Sequence, residues 1–551
     1  MNKKKAIQLV FFIFLLGFAW ALMWKTFRVN QAGNLEIATK VWSDFAATIP
    51  LIRSFSLGDN FPPQYPLFAG PPIRYHFLFF WAVASLEKIG IRLDWALNSL
   101  STLGFFGLLL AIYLFSREVF RKRAVSVLAC IFFLFNGSLS FLEFFKKHPL
   151  SFNFLREIAQ NTTFPAFAPY DGSHLVSAFW SLNIYTNQRH LALAYASFLA
   201  LMLFIWRAAK KPGWLNFNKS LLLGIAVGLF PFIHLSVFIM MGIALFILFI
   251  LFPDLRKKLL IIASVSIVLA LPQIIYLGKV NSQANFFHPG YLIEGLTFFS
   301  FFKYWFFNLG LVSILAPFGF LLAKREQRKI FLPFLAFFVI GNLFQFSPEM
   351  AGNHKFFNLF IITANILAAY FIYRLWQHKT LGKAAAIFYV LVMTFSGIID
   401  LFPIANDVYV EIKDGKNNDV AQFIIENTPK ESVFLNGSYI YDPASLAGRK
   451  VFLGWSYFSW SAGYQTNARF ELMKDILQLS QLEEVCPLLN QEKIDYLEIQ
   501  NPTSIEGVKI NYRFFEENFK QIYFSRISDI SIYDVAPTCG RFLGHLQEEN
   551  Q

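Results

Sequence analysis

The chain has 551 residues, 56% of them hydrophobic and only 15% charged, and a soluble globular fold of this length cannot cover so much apolar surface. Its formal net charge is +13, but much of the Lys and Arg falls in short clusters between apolar runs, where cationic residues mark cytoplasmic loops, so no nucleic-acid partner is expected. The composition calls for an α-helical polytopic membrane protein.

The first segment, "MNKKKAIQLVFFIFLLGFAW", has a basic start, and Ala19-Trp20-Ala21 mimics a signal-peptidase site. The apolar run Ala6 to Trp24 is long for a cleaved leader and reads as an uncleaved first span. Basic clusters at Lys3 to Lys5, Arg117 to Arg123, Arg207 to Lys219, Arg256 to Lys258, Lys324 to Lys329 and Arg374 to Lys383 then fix the rest, because an even number of crossings separates any two. Parity makes 77–90 an interfacial helix on the outer face, since it is short and carries Glu87 and Lys88. It also folds 220–252 into a hairpin turning near Pro231 to His234. With 95–115, 124–143, 190–206, 259–277, 304–323, 330–346, 356–373 and 384–402, the prediction is about 11 transmembrane helices in a domain spanning 1–402. The N-terminus is cytoplasmic, and long outer loops occupy 25–94 and 144–189. Loops longer than their connections require are usually functional, which places the working surface outside.

After a polar linker at 403–419, the segments "DVAQFIIENTPKESVFLNGS" and "EVCPLLNQEKIDYLEIQ" each read as a helix followed by a strand. They predict an extracytoplasmic α/β domain over 420–551. Cys486 and Cys539 both lie in it and are able to pair in an oxidising compartment, whereas Cys130 sits in an apolar run as packing.

No Gly-rich phosphate loop, HExxH or CxxC motif is present. What topology gathers on the outer face is a set of polar residues. Loop one carries Asp44, Arg53, Asp59 and the run Arg74, Tyr75 and His76. Loop two carries Glu143, Asp171, His174 and "NQRH", which ends in Arg189 and His190. Later come His234, Glu349, Asn353, His354 and Lys355. Each has an ordinary alternative. Asp44 fits the polar side of an interfacial helix, Asp171 precedes Gly and Ser in a turn, Arg189, His190 and Lys355 flank spans where cations snorkel, and His234 suits a structural role. Against these stands one anomaly. Arg189 and Lys355 are cations at outer span ends, contrary to the bias at the other ends, and they call for an anion such as a lipid phosphate.

An acid in "WSDFAATIPLIRSF", a Pro-rich "FPPQYPLFAGPPIRYHFLFF" and then "LNSLSTLGFFGLLLAIYLFSREVF" leading into basic residues resemble the GT-C superfamily, the polytopic glycosyltransferases that use polyprenyl-phosphate-linked sugars. "NQRHLALAYA", "GLFPFIHLSVF" and "GNHKFFNL" look like motifs of bacterial members that end in an outer soluble domain, and "LAGRKVFLGWSYFSWSAGY" resembles part of that domain. The resemblance covers roughly residues 1–400 and implies a membrane glycosyltransferase that transfers a sugar, with inversion, to a glycan, lipid or protein acceptor at the outer face of the plasma (inner) membrane. Asp44 matches the family's first-loop catalytic base, although Ser43 and Phe45 stand where relatives often pair a second acid. Asp171 and Glu143 are the candidates for a second-loop acid. Arg74, His76, Arg189, His190, His354 and Lys355 are candidates for holding the phosphate and sugar. With one firm acid, no divalent metal or other cofactor is predicted. The rival readings are a transporter or flippase, which the near absence of ionisable residues within the spans argues against, and a GT-C-like scaffold without catalysis.

Overall fold

A computed structural model describes residues 3–172, 174–278 and 286–540, so the expected domain end at 551 and part of the outer loop 278–303 lie outside the described residues. The helices that matter here are α1 (Lys3–Thr26), α2 (Trp42–Ser56), α3 (Leu78–Lys88), α4 (Leu93–Phe120), α5 (Arg123–Leu134), α6 (Phe141–Lys147), α7 (Leu191–Lys210), α8 (Phe217–Gly228), α9 (Phe230–Leu251), α10 (Arg256–Leu277), α11 (Phe298–Leu309), α12 (Val312–Leu322), α13 (Arg325–Leu343), α14 (His354–Trp376) and α15 (Thr380–Ala405).

Among the described residues, seven helices are long and apolar enough to cross a membrane, or eight if α11 and α12, bent by 86°, form one span. The remaining three of the eleven expected segments are helical but fall short. α5 and α8 have 12 residues each, about 18 Å at 1.5 Å per residue, against a hydrocarbon core of about 30 Å. α13 opens on the charged run Arg325, Glu326, Arg328 and Lys329. The expected span 124–143 stops at Leu134 because the chain turns at Asn136, whose side-chain amide donates to Asp400 Oδ2 at 2.7 Å. The two interruptions meet. A Cβ on Gly310, which has φ +56° between α11 and α12, would lie 2.0 Å from the Gly137 carbonyl oxygen, so only glycine lets the two bends pack. The predicted turn near Pro231 to His234 falls earlier, at Leu229 between α8 and α9, and α9 leaves helical geometry at His234. The expected interfacial segment forms α3, with 11 residues too short to span.

The outer part is one assembly of loop one and the tail. Strand Leu35–Ala38 lies between Phe27–Val29 and Tyr409–Ile412, antiparallel to both, so the expected linker 403–419 contributes a strand to the first loop's sheet. The tail holds a five-stranded sheet in the order Lys450–Val451, Val433–Leu435, Tyr496–Gln500, Ile530–Asp534 and Lys520–Ser525. Its first three strands are parallel and the last two run antiparallel to their neighbours, as expected of an α/β unit. Cys486 and Cys539 are joined by a disulfide. Phe45, Ile49 and Ile52 of α2 share one buried cluster with Leu446, Phe452 and Leu453 of the tail.

A single cation ties these parts together. Arg53 of α2 forms a two-pronged ion pair with Asp414 at 2.6 and 2.7 Å, donates to the Leu446 carbonyl at 3.0 Å and faces Glu87 of α3 at 3.4 Å. All three charged groups are nearly sealed from water. Removing one partner of such a pair leaves an uncompensated buried charge. Asp414→Ala is therefore expected to cost on the order of 3 kcal/mol, read as a lower thermal midpoint of the detergent-solubilised protein. An unchanged midpoint would show that α2 is held by the apolar cluster alone.

Candidate active site

Helix α2 starts from Val41, and Asp44 is its third residue. A carboxylate in the first turn normally gains from the helix dipole. Here burial wins, and the Asp44 carboxyl is pushed up to about 6, first by desolvation and then by the negative charge of Glu349, with Lys355 opposing. Among the described residues, Asp44 makes no hydrogen bond or ion pair through its carboxylate. It is half-buried and free to meet a proton donor. Tyrosines from three parts of the chain feel its charge: Tyr65 and Tyr75 of loop one, Tyr170 of loop two and Tyr441 of the tail. The Tyr441 hydroxyl donates to the carbonyl of Trp42 at the start of α2, so the tail reaches the helix that carries Asp44.

Neither loop-two candidate for a second acid is among the groups whose charge acts on Asp44. Asp171 is an exposed turn residue that accepts the backbone N–H of Phe167 at 2.5 Å, and Glu143 pairs with Lys146 one turn along α6 at 2.6 Å. The carboxylate that acts on Asp44 is Glu349, from the outer connection between α13 and α14, and the Tyr170 hydroxyl donates to it. Tyr170 in turn lies 3.4 Å from the hydroxyl of Tyr457 in the tail. Lys355, in the first turn of α14, interacts electrostatically with both Glu349 and Asp44. Its ammonium makes no hydrogen bond or ion pair among the described residues, which leaves a half-buried cation available to an anion.

The other predicted residues divide. Arg74 is turned to the tail, donating to the Gly463 carbonyl, with its guanidinium 4.9 Å from the Tyr464 ring centre. Arg189 is 1% exposed and fully engaged. It donates to Thr186 O at 2.7 Å, Thr26 Oγ1 at 2.6 Å, Met23 O at 3.2 Å and Asn98 Oδ1 at 3.3 Å, and so pins loop two to the outer ends of α1 and α4. The charge-bias anomaly that made it a phosphate ligand thus has an internal explanation. His354 is buried between Gln188 at 3.3 Å and Asn358 at 3.1 Å.

His76 and His190 meet at 2.7 Å between their Nε2 atoms, and His234, which sequence reasoning assigned to structure, stacks on His76 with ring centres 4.5 Å apart. Tyr75 stacks on His76 with ring centres 4.0 Å apart and also feels the charge of Asp44. The sequence signal for the grouping was weak, because the three histidines are separated by more than forty residues at each step and only the fold joins them. Glu349 had a better signal, lying in the same short outer connection as Lys355.

No protein-family model matches this sequence, and no curated protein matches it. Solved structures do. ArnT from Cupriavidus metallidurans bound to undecaprenyl phosphate superposes over 97% of this chain and 98% of its own, at 12% identity and a TM-score of 0.51. ArnT in the apo state superposes over 98% and 99%, at 11% identity and 0.51. The Archaeoglobus fulgidus oligosaccharyltransferase tethered with an acceptor peptide matches over 95% of this chain and 74% of its own, at 12% identity and a TM-score of 0.48. At these identities the likeness to ArnT concerns the fold alone.

The two cations are distinguishable by experiment. Arg189→Gln is expected to lower the thermal midpoint by breaking buried hydrogen bonds, at a cost on the order of 3 kcal/mol, whereas Lys355→Gln is expected to leave it little changed. A midpoint lowered by Lys355→Gln and unchanged by Arg189→Gln would overturn the assignment of Arg189 as the buried strut.

Proposed function

We propose that this protein is a membrane glycosyltransferase that moves a sugar from a polyprenyl-phosphate donor to an acceptor hydroxyl at the extracytoplasmic face of the plasma membrane. The observation that carries the reading is the uncommitted Asp44 carboxylate, with its raised pKa, opposed by the uncommitted Lys355 ammonium. Two further points support it: the fold is shared along nearly its whole length with ArnT, which has been solved bound to undecaprenyl phosphate, and the disulfide in the tail suits an oxidising compartment.

In this mechanism Asp44 takes the proton of the acceptor hydroxyl as its oxygen attacks the anomeric carbon from the face opposite the phosphate. The new carbon–oxygen bond forms as the bond to the phosphate oxygen breaks, which inverts the configuration. Charge gathers on the departing phosphate, where Lys355 stabilises it. Glu349 has two effects. It raises the basicity of Asp44, and through Tyr170 it joins loop two to the tail beside the cleft. The ring of tyrosines around Asp44 offers hydroxyls and apolar faces, surfaces on which a sugar or polyprenyl head packs.

The test is transfer of label from a polyprenyl-phosphate sugar in membrane vesicles. Asp44→Asn is expected to lower the rate about 100-fold or more, in the range of general-base contributions. Full transfer by that variant would sink the assignment, and failure of the wild type with every donor and acceptor class tried would favour a carrier or scaffold.

The pH dependence has a fixed sign. A base with a raised pKa is active when deprotonated, so kcat/KM should be flat above about 6 and fall tenfold per unit below it. A rate that rises on acidification through the same window would assign Asp44 to the acid form.

A further inference from the structure

The three histidines His76, His190 and His234 come from three different segments: the stretch before α3, the residue before α7, and the break inside α9. One nitrogen from each ring lies within 4.8 Å of the others. His234 is 0% exposed, His190 2% and His76 9%, so the group is closed off from bulk water. Hydrogen bonding does not account for it. His76 and His190 satisfy one another through their Nε2 atoms, but His190 Nδ1 is buried without a partner, and neither His234 nitrogen has one outside its own residue. Each unpaired buried polar atom costs about 1–3 kcal/mol. A structural packing role would be filled more cheaply by Phe or Leu.

We propose that His76, His190 and His234 form a metal site for a borderline-soft divalent ion of the Zn2+ class, with three imidazole ligands and one open position. Imidazole nitrogen selects such ions over Mg2+, Ca2+ or Mn2+, which prefer oxygen. Bonds of about 2.0–2.1 Å set tetrahedral nitrogen pairs about 3.3 Å apart, so His76 and His190, now at 2.7 Å, open by about 0.6 Å on binding. His234 supplies the third nitrogen at the point where α9 leaves helical geometry. Lys355 is the cation whose charge reaches all three histidines, and it is drawn in turn toward Asp44 and Glu349. Among the described residues no carboxylate oxygen joins this group of nitrogens, so the metal would not draw on Asp44 or Glu349.

The full chain, purified in detergent without chelator and dialysed against micromolar Zn2+, is expected to hold about one zinc per chain by elemental analysis. X-ray absorption at the zinc edge should show an imidazole-dominated shell. His190→Gln and His234→Gln should each lose the zinc, whereas Asp44→Asn and Glu349→Gln retain it. Zinc at background level in the wild type, a shell dominated by carboxylate or thiolate, or loss of zinc in the acid variants with retention in the histidine variants would each overturn the proposal. The absorption spectrum of the wild type decides the ligand set even where a histidine variant fails to fold.

Discussion

The buried ion pair between Arg53 and Asp414 is the constraint on which the outer half depends. Arg53 and Asp44 lie on the same helix, nine positions and about 13 Å apart along its axis, so anchoring the guanidinium also constrains where the carboxylate sits. Asp414 belongs to the segment that follows the last membrane helix, Leu446 to the soluble domain and Glu87 to the short helix that folds back toward the membrane. One cation therefore gathers four stretches of chain that are distant in sequence. The shared apolar cluster supplies the bulk of the burial, but it is non-directional. The two-pronged ion pair supplies the orientation.

That arrangement explains how an isolated acid acquires chemical use. Asp44 sits among apolar residues in the sequence, but those neighbours do not foretell which other segments close over it. Its burial arises because loop one, the connection before α14 and the tail close over it, and its raised pKa follows from that closure together with the charge of Glu349. A carboxylate with no hydrogen bond and an ammonium with no partner among the described residues, each feeling the other's charge, are costly to keep in a purely structural protein. Both become explicable when the cleft receives a hydroxyl and a phosphate.

Some of this was legible in the residues. Apolar runs punctuated by Lys and Arg located every helix that is long and apolar enough to cross a membrane among the described residues, together with three segments that fall short of it. The acid in loop one stood out as a polar residue where the bundle opens. The places where reading failed have physical causes. The break of 124–143 at Asn136 depends on Gly310 far along the chain, which no local periodicity reveals. The sequence pointed to a second acid in loop two, where Asp171 and Glu143 engage a turn amide and an i,i+3 lysine, whereas the carboxylate whose charge acts on Asp44 is Glu349. Arg189 was misleading because a buried strut and a phosphate ligand carry the same charge in a sequence, and only its four oxygen partners distinguish them.

The central claim is that the outer cleft holds a polyprenyl phosphate between Lys355 and the base. A structure of the detergent- or nanodisc-embedded protein with undecaprenyl phosphate tests it most directly. The account predicts phosphate density in hydrogen-bonding contact with the Lys355 ammonium, with the Asp44 carboxylate facing the same cavity. Phosphate bound at a site from which Lys355 and Asp44 are both remote would contradict it.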